Sequence, residues 1–178
     1  MKPTLFVVIA SLLLPACGSD SPATATAPTP PSIAQVAGVW AVTSTLTSVT
    51  GGECVGTILQ STIGSGDTGT MSISQTGASL SATGRSSSTG LSCTYDGMSG
   101  AATMALSWSF CDAAVLTGIR CANGALRDMR LQAKSVTATV AGNRATGTGA
   151  ETWNVVVAGT QTGVGPLVST STFVATRQ

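Results

Sequence analysis

The feature that most constrains this chain is an alternation of apolar and polar residues with a period of two. In the segment 38–46, Trp40, Val42 and Leu46 fall on one face, whereas threonines occupy much of the other. A strand with one buried and one solvated face produces this pattern, and β-branched threonine suits the solvated side. The alternation predicts an all-β domain, because it returns in later segments, at 71–74, 80–82, 136–140, 153–157 and 173–177.

Short turn signals separate these runs, at Thr76-Gly77-Ala78, Asp96-Gly97 and Gly142-Asn143. Such spacing favours antiparallel neighbours joined in a meander of roughly eight to ten strands. We expect no helix longer than a turn or two. The best candidate for a short helix or a long loop is the segment 111–125.

A twisted antiparallel sheet of this size either stacks on a second sheet or closes on itself. The string Gly38-Val39-Trp40 at the start of the first strand resembles the Gly-x-Trp motif of the lipocalins and the wider calycin group. In that group an arginine near the end of the last strand packs over the tryptophan, a role that the resemblance gives to Arg177. The resulting prediction is an antiparallel meander closed into a small up-and-down β-barrel, lipocalin-like or avidin-like, with a β-sandwich as the alternative.

The N-terminal segment has the features of a secretory signal peptide over residues 1–16. It carries one basic residue and then an apolar run, which is shorter than the roughly 20 residues needed to span a bilayer. Its end, Leu14-Pro15-Ala16-Cys17, resembles the lipobox of bacterial lipoproteins, in which the signal is cut before a lipidated cysteine. The resemblance implies a lipid anchor on Cys17, and the alternative is a soluble secreted protein cleaved after Ala16.

The residue after this cysteine bears on the predicted location. Lipoproteins retained in the inner membrane typically carry aspartate there, whereas this chain has Gly18. The resemblance therefore implies a bacterial cell-envelope protein, in the outer membrane if the cell is Gram-negative, with the lipid bilayer as partner through acylated Cys17. Residues 17–34 are rich in proline, threonine and alanine and predict a tether. Residues 35–178 are left for the barrel domain.

The remaining cysteines are Cys54, Cys93, Cys111 and Cys121. An even number in an exported domain predicts disulfides, with three pairings open. Local spacing favours Cys111–Cys121, which leaves Cys54–Cys93. No Cys-x-x-Cys spacing occurs and the chain has no histidine, so we expect structural bonds, no metal or redox site and no cofactor.

Composition and motifs argue against several classes of function. Charged residues make up 8% of the chain and the net charge is +1, which disfavours a nucleic-acid partner. Imidazole chemistry is excluded, and no nucleophile or phosphate-loop motif occurs. Glu53 and Glu151 are the candidates for a glycosidase-like carboxylate pair, but we interpret both as solvated or arginine-paired. The sequence therefore predicts a protein that is not an enzyme.

Aromatic residues in the predicted strands include Trp108, Trp153 and Tyr95, the candidates to line a cavity. One predicted function is a membrane-anchored envelope lipoprotein whose barrel binds a small hydrophobic or amphiphilic ligand. The alternative is a structural or interaction lipoprotein with a filled core and no ligand. Interior volume separates these two hypotheses, because a ligand needs an unfilled cavity.

Overall fold

The computed structural model describes residues 32–112 and 114–178. The predicted signal peptide, Cys17 and most of the predicted tether lie outside the described residues. Within these residues, nine strands and one helix follow in the order β1 (Gly38–Gly51), α1 (Glu53–Gln60), β2 (Gly66–Thr76), β3 (Ser79–Ser86), β4 (Ser92–Ser99), β5 (Thr103–Cys111), β6 (Val115–Arg120), β7 (Leu126–Ala141), β8 (Arg144–Val157) and β9 (Gly163–Arg177).

The sheet is antiparallel and closes on itself. Its strand order is β5-β4-β3-β2-β1-β9-β8-β7-β6, and an additional pairing of β5 with β7 closes a barrel of eight strands. The extra strand, β6, pairs only with the first part of β7. The predicted all-β, closed up-and-down meander is therefore confirmed, and the alternative of a β-sandwich is wrong.

Two details of the sequence prediction need correction. The prediction of a turn at Asp96-Gly97 is wrong, because both residues lie inside β4. There the glycine permits close approach of β5, since a Cβ on Gly97 would clash with the Ala105 backbone oxygen at 1.9 Å. The helix or long loop predicted for 111–125 is also wrong, because this segment contains β6 and a short turn.

The helix occurs instead directly after β1. Gly51 and Gly52 both adopt the left-handed conformation, with φ values of 75° and 73°, and so turn the chain off the strand. The eight residues of α1 then bury Val55 completely. The described residues include no helix long and apolar enough to cross a membrane.

One end of the barrel, the closed end, is covered by the residues 32–37 that precede β1. The Ala34 N–H donates to the Gly100 oxygen at 2.8 Å, whereas the Arg177 guanidinium, across the barrel, donates to the Gln35 oxygen. Val36 is completely buried, and its oxygen accepts a 2.8 Å hydrogen bond from the Trp40 indole. The segment therefore spans the barrel and seals it.

The opposite end, the open end, carries α1, the 61–65 loop and the 87–91 turn, and two disulfides. Cys54–Cys121 ties α1 to the β6–β7 turn, and Cys93–Cys111 joins β4 to β5. The pairing favoured by local spacing is therefore wrong. The β4–β5 register places Cys93 directly opposite Cys111. Cys121 follows the end of β6, where it lies beside Cys54 of α1.

Candidate functional site

The barrel encloses a cavity of about 460 Å³ that begins above the closed end. Its floor is apolar and well buried, formed by Trp40, Ile73, Phe173 and Ala175. Its rim lies at the open end, where the lining residues Ser65, Ser88 and Thr89 are exposed to solvent. The cavity is thus a cup with an apolar base and a polar mouth.

Small residues at lining positions explain why the cup is unfilled. Gly69, Gly84, Gly149, Ser44 and Ser171 all line it, where larger side chains would fill the interior of a narrow barrel. The glycines are also tightly placed. A Cβ on Gly84 would lie 3.3 Å from the Tyr95 ring, and one on Gly149 would lie 2.9 Å from the Ser171 hydroxyl.

A polar cluster, which we define as Tyr95, Lys134 and Glu151, occupies one wall of the cavity. Lys134 and Glu151 are direct cross-strand partners on β7 and β8, and the Lys134 Nζ lies 2.7 Å from the Glu151 Oε1. The Trp153 indole donates a 3.1 Å hydrogen bond to the other carboxylate oxygen. An ion pair is therefore fixed at a lining position of an otherwise largely apolar interior.

The charge states of the cluster follow from its surroundings. Burial alone would lower the pKa of Lys134, but the Glu151 carboxylate and the Tyr95 phenol together outweigh it, so that the pKa of Lys134 is raised. Burial raises the pKa of Tyr95, with the neighbouring Lys134 ammonium opposing part of that effect. At neutral pH the cavity wall therefore presents an ammonium paired with a carboxylate, beside an un-ionised phenol.

The structure distributes the aromatic candidates over different surroundings. Tyr95 lines the cavity, whereas Trp153 is buried outside the lining and contacts the cluster through its hydrogen bond to Glu151. Trp108 is half-buried and packs against the hydrophobic core. The Arg177 guanidinium lies 4.8 Å from the centre of the Trp40 ring, a cation–π distance, at the closed end.

The two carboxylates considered as a catalytic pair have different partners. Glu53, at the start of α1, pairs with Arg127 at 3.1 Å near the surface, whereas Glu151 pairs with Lys134 in the cavity wall. Sequence reasoning did not assign Lys134 to a site. The alternation of apolar and polar residues could have identified it, because Lys134 shares the inward face of β7 with Val136, Ala138 and Val140.

Comparisons with protein-family models, with curated proteins and with solved structures find no match to this chain. What the cavity can bind is therefore inferred from the residues that line it. Within the described part of the chain, no group of three or more potential metal ligands occurs. The arrangement offers apolar contact at the floor, and hydrogen-bond donors and acceptors on the walls and at the mouth.

Proposed function

We propose that this protein is a lipid-anchored bacterial envelope protein whose barrel binds a small amphiphilic molecule. The observation that carries this proposal is a cavity of about 460 Å³ with an apolar floor and a polar cluster on one wall. Sites for small molecules have volumes of about 300–1,000 Å³ and combine mostly apolar lining with a few placed polar groups. The alternative of a structural lipoprotein with a filled core has less support, because the interior is not filled.

The apolar floor supplies the driving force for binding. Burial of apolar surface contributes about 25 cal/mol for each Å² removed from water, so a tail placed against Trp40, Ile73 and Phe173 gains from each carbon. The preformed barrel adds to this gain, since little ordering of the protein accompanies binding. We therefore place the tail of the ligand at the floor and its polar group beside the polar cluster.

A matched pair of substitutions tests binding. Val42→Phe adds a ring inside the cavity, whereas Val174→Phe adds the same ring on the exposed face of β9. The probe is the neutral dye N-phenyl-1-naphthylamine, whose fluorescence rises in apolar sites. We expect wild type and Val174→Phe to bind it alike, and Val42→Phe to lose about tenfold or more in affinity, about 1.4 kcal/mol.

Two results would contradict the proposal that the barrel binds a small molecule. Equal dye binding by Val42→Phe and wild type would place the dye outside the barrel. No dye binding by a folded wild type, together with native mass spectra free of co-purifying small molecules, would favour the structural alternative.

The anchor is tested separately through Cys17. We expect the protein purified from membranes to begin at this residue and to carry the mass of attached acyl chains. One chain gives only marginal membrane binding, whereas two or more give stable anchoring. A Cys17→Ser variant should yield no acylated N-terminal peptide. A wild-type N-terminus without lipid would reject the anchor and leave the binding proposal unaffected.

A further inference from the structure

We propose that the cavity selects an amphiphile with an uncharged polar group, such as an alcohol or an amide, over a carboxylate or an amine of the same chain length. This inference rests on the proposed binding function and specifies the class of ligand. The feature that points to it is the Lys134–Glu151 ion pair, which supplies both a donor and an acceptor at the cavity wall while leaving no net charge there.

The balance of charge extends over the whole lining. Among the described residues that line the cavity, the charged side chains are Lys134 and Arg85, and Glu151 and Asp67. Two positive and two negative groups cancel, and the pair inside is in contact at 2.7 Å. At the rim, Asp67 is already engaged, because its carboxylate accepts a 2.7 Å hydrogen bond from the Ser88 hydroxyl. No single sign of charge therefore attracts an ion into the cup.

A charged ligand group would meet repulsion from one member of the pair. A carboxylate beside Lys134 would also lie close to Glu151, and an ammonium beside Glu151 would lie close to Lys134. Interactions between charges are strengthened away from bulk water, and a desolvated ion without its own counter-ion is disfavoured. At the polar cluster, neither ion can be neutralised without separating the existing salt bridge.

An uncharged donor–acceptor group meets no such repulsion. The Lys134 and Glu151 side chains remain 24% and 30% exposed, so both are accessible to a ligand. Hydroxyl groups complete the lining, at Ser44, Ser169 and Ser171, and the β8–β9 register places Ser169 opposite Glu151. A serine hydroxyl both donates and accepts, which matches an alcohol or an amide.

The first test compares ligands with one tail and three polar groups. Decanol, decanoate and decylammonium are titrated at neutral pH against the bound dye N-phenyl-1-naphthylamine. We expect decanol to displace the dye at least about tenfold more tightly than either ion. If decanoate or decylammonium displaced the dye with the same affinity as decanol, the inference would be overturned and the proposed function would stand. Failure of the dye and of all three ligands to bind would reject both.

The second test changes the selectivity. Glu151→Gln keeps the size of the side chain but leaves Lys134 as an unpaired cation, so we expect the preference to shift to decanoate by about tenfold or more. Glu53→Gln is the control, since it breaks the surface pair with Arg127 and should leave the preference unchanged. An unchanged preference in folded Glu151→Gln would contradict the inference.

A double variant covers the case in which Glu151→Gln does not fold. Lys134→Met with Glu151→Gln removes both charges and leaves no unpaired ion in the wall. We expect it to retain the preference for decanol and to lose affinity for that alcohol, because the strongest donor and acceptor are gone. A preference of the double variant for decanoate would count against the inference.

Discussion

Different interactions stabilise the two ends of the barrel. At the closed end Trp40 is 1% exposed, and its indole and the surrounding backbone groups make buried hydrogen bonds to the 32–37 segment. At the open end the interior is unfilled, and the disulfides Cys54–Cys121 and Cys93–Cys111 fasten the elements around it. The comparison shows that hydrogen bonds to the 32–37 segment hold the closed end, whereas at the open end two covalent bonds add to the packing of Val55, Met129 and Leu167.

Gln75 illustrates how side chains at the closed end pair with the backbone of the 32–37 segment. Its side-chain oxygen accepts from the Val36 N–H at 2.8 Å, and its amide donates to the Ala34 oxygen at 2.9 Å. The Ser99 hydroxyl donates to the same Ala34 oxygen at 2.9 Å. Buried polar groups with full sets of partners rigidify a structure. The closed end therefore serves as the fixed base of the cup.

The first of two comparably large expected effects comes from removing the disulfides. Cys54 and Cys121 are 67 residues apart, and Cys93 and Cys111 are 18 apart. Loop-closure entropy then predicts losses of about 4 and about 3 kcal/mol in the free energy of unfolding for the two double serine variants. Urea unfolding of the oxidised proteins measures both. A loss below about 1 kcal/mol for either pair would show that packing, and not the bond, holds the open end.

The next effect compares two tryptophans. Trp40→Ala removes a fully buried ring, its hydrogen bond and its contact with Arg177, so we expect a loss of about 3–5 kcal/mol. Trp108→Ala removes a half-buried ring near Cys111, at the open end of β5, and we expect a loss of about 1–3 kcal/mol. Urea unfolding at neutral pH measures the difference. Equal losses would mean that the two ends do not differ in packing.

The sequence predicted the strands well because one physical signal, the alternation, acts locally. Every segment chosen for its period of two lies within a strand. Closure of the barrel was predicted from the resemblance of Gly38-Val39-Trp40 to the Gly-x-Trp motif and from the place of Arg177, because the number of strands alone left a sandwich open. The predicted Gly77 and Gly142 turns lie between paired strands, at β2–β3 and β7–β8.

What the sequence could not predict depends on register. The partners of Cys93 and Lys134 are Cys111 and Glu151, each directly opposite on a neighbouring strand, and such pairs become visible only when the strands are aligned. A β-bulge in the β4–β5 pairing also reverses the facing of side chains near the end of β5. The ion pair was missed because the two carboxylates were judged by their neighbours in sequence.

A smaller effect is expected at Asp128, on the open end. Its buried carboxylate accepts hydrogen bonds from the Gly159 N–H at 2.9 Å and the Gly118 N–H at 3.0 Å, and these bonds lower the pKa of Asp128. Because its pKa is lowered in the folded state, the Asp128 carboxylate stabilises the protein at pH values above the ordinary aspartate pKa. This stability is lost as the pH falls through the pKa of the folded state.

We therefore expect Asp128→Asn to reduce stability at neutral pH and to flatten the loss of stability below about pH 4, near the ordinary aspartate pKa. Urea midpoints at neutral and acid pH measure both effects. Asp112→Asn, on the exposed surface of the same end, is the control. Parallel pH profiles for wild type and Asp128→Asn would remove Asp128 from the interactions that hold this end.

The smallest effect is confined to alkaline pH and reports on the cavity wall. Burial raises the pKa of Tyr95, and the neighbouring ammonium opposes that shift. Because the folded state holds its proton beyond the ordinary value of about 10, the unfolded state ionises first, and stability falls as the pH rises from there. Tyr95 is the only tyrosine in the chain, so its ultraviolet absorbance reports this one group.

We expect the Tyr95 absorbance to titrate at higher pH in the native protein than in the urea-unfolded protein. Lys134→Met should move the native midpoint higher still, since it removes the cation that favours the phenolate. Tyr95→Phe should lessen the alkaline loss of stability while leaving the neutral urea midpoint nearly unchanged. A native midpoint equal to the unfolded one would mean that the effect of burial on the Tyr95 pKa does not exceed the opposing effect of Lys134, and the polar cluster would then lie in a more solvated part of the cavity.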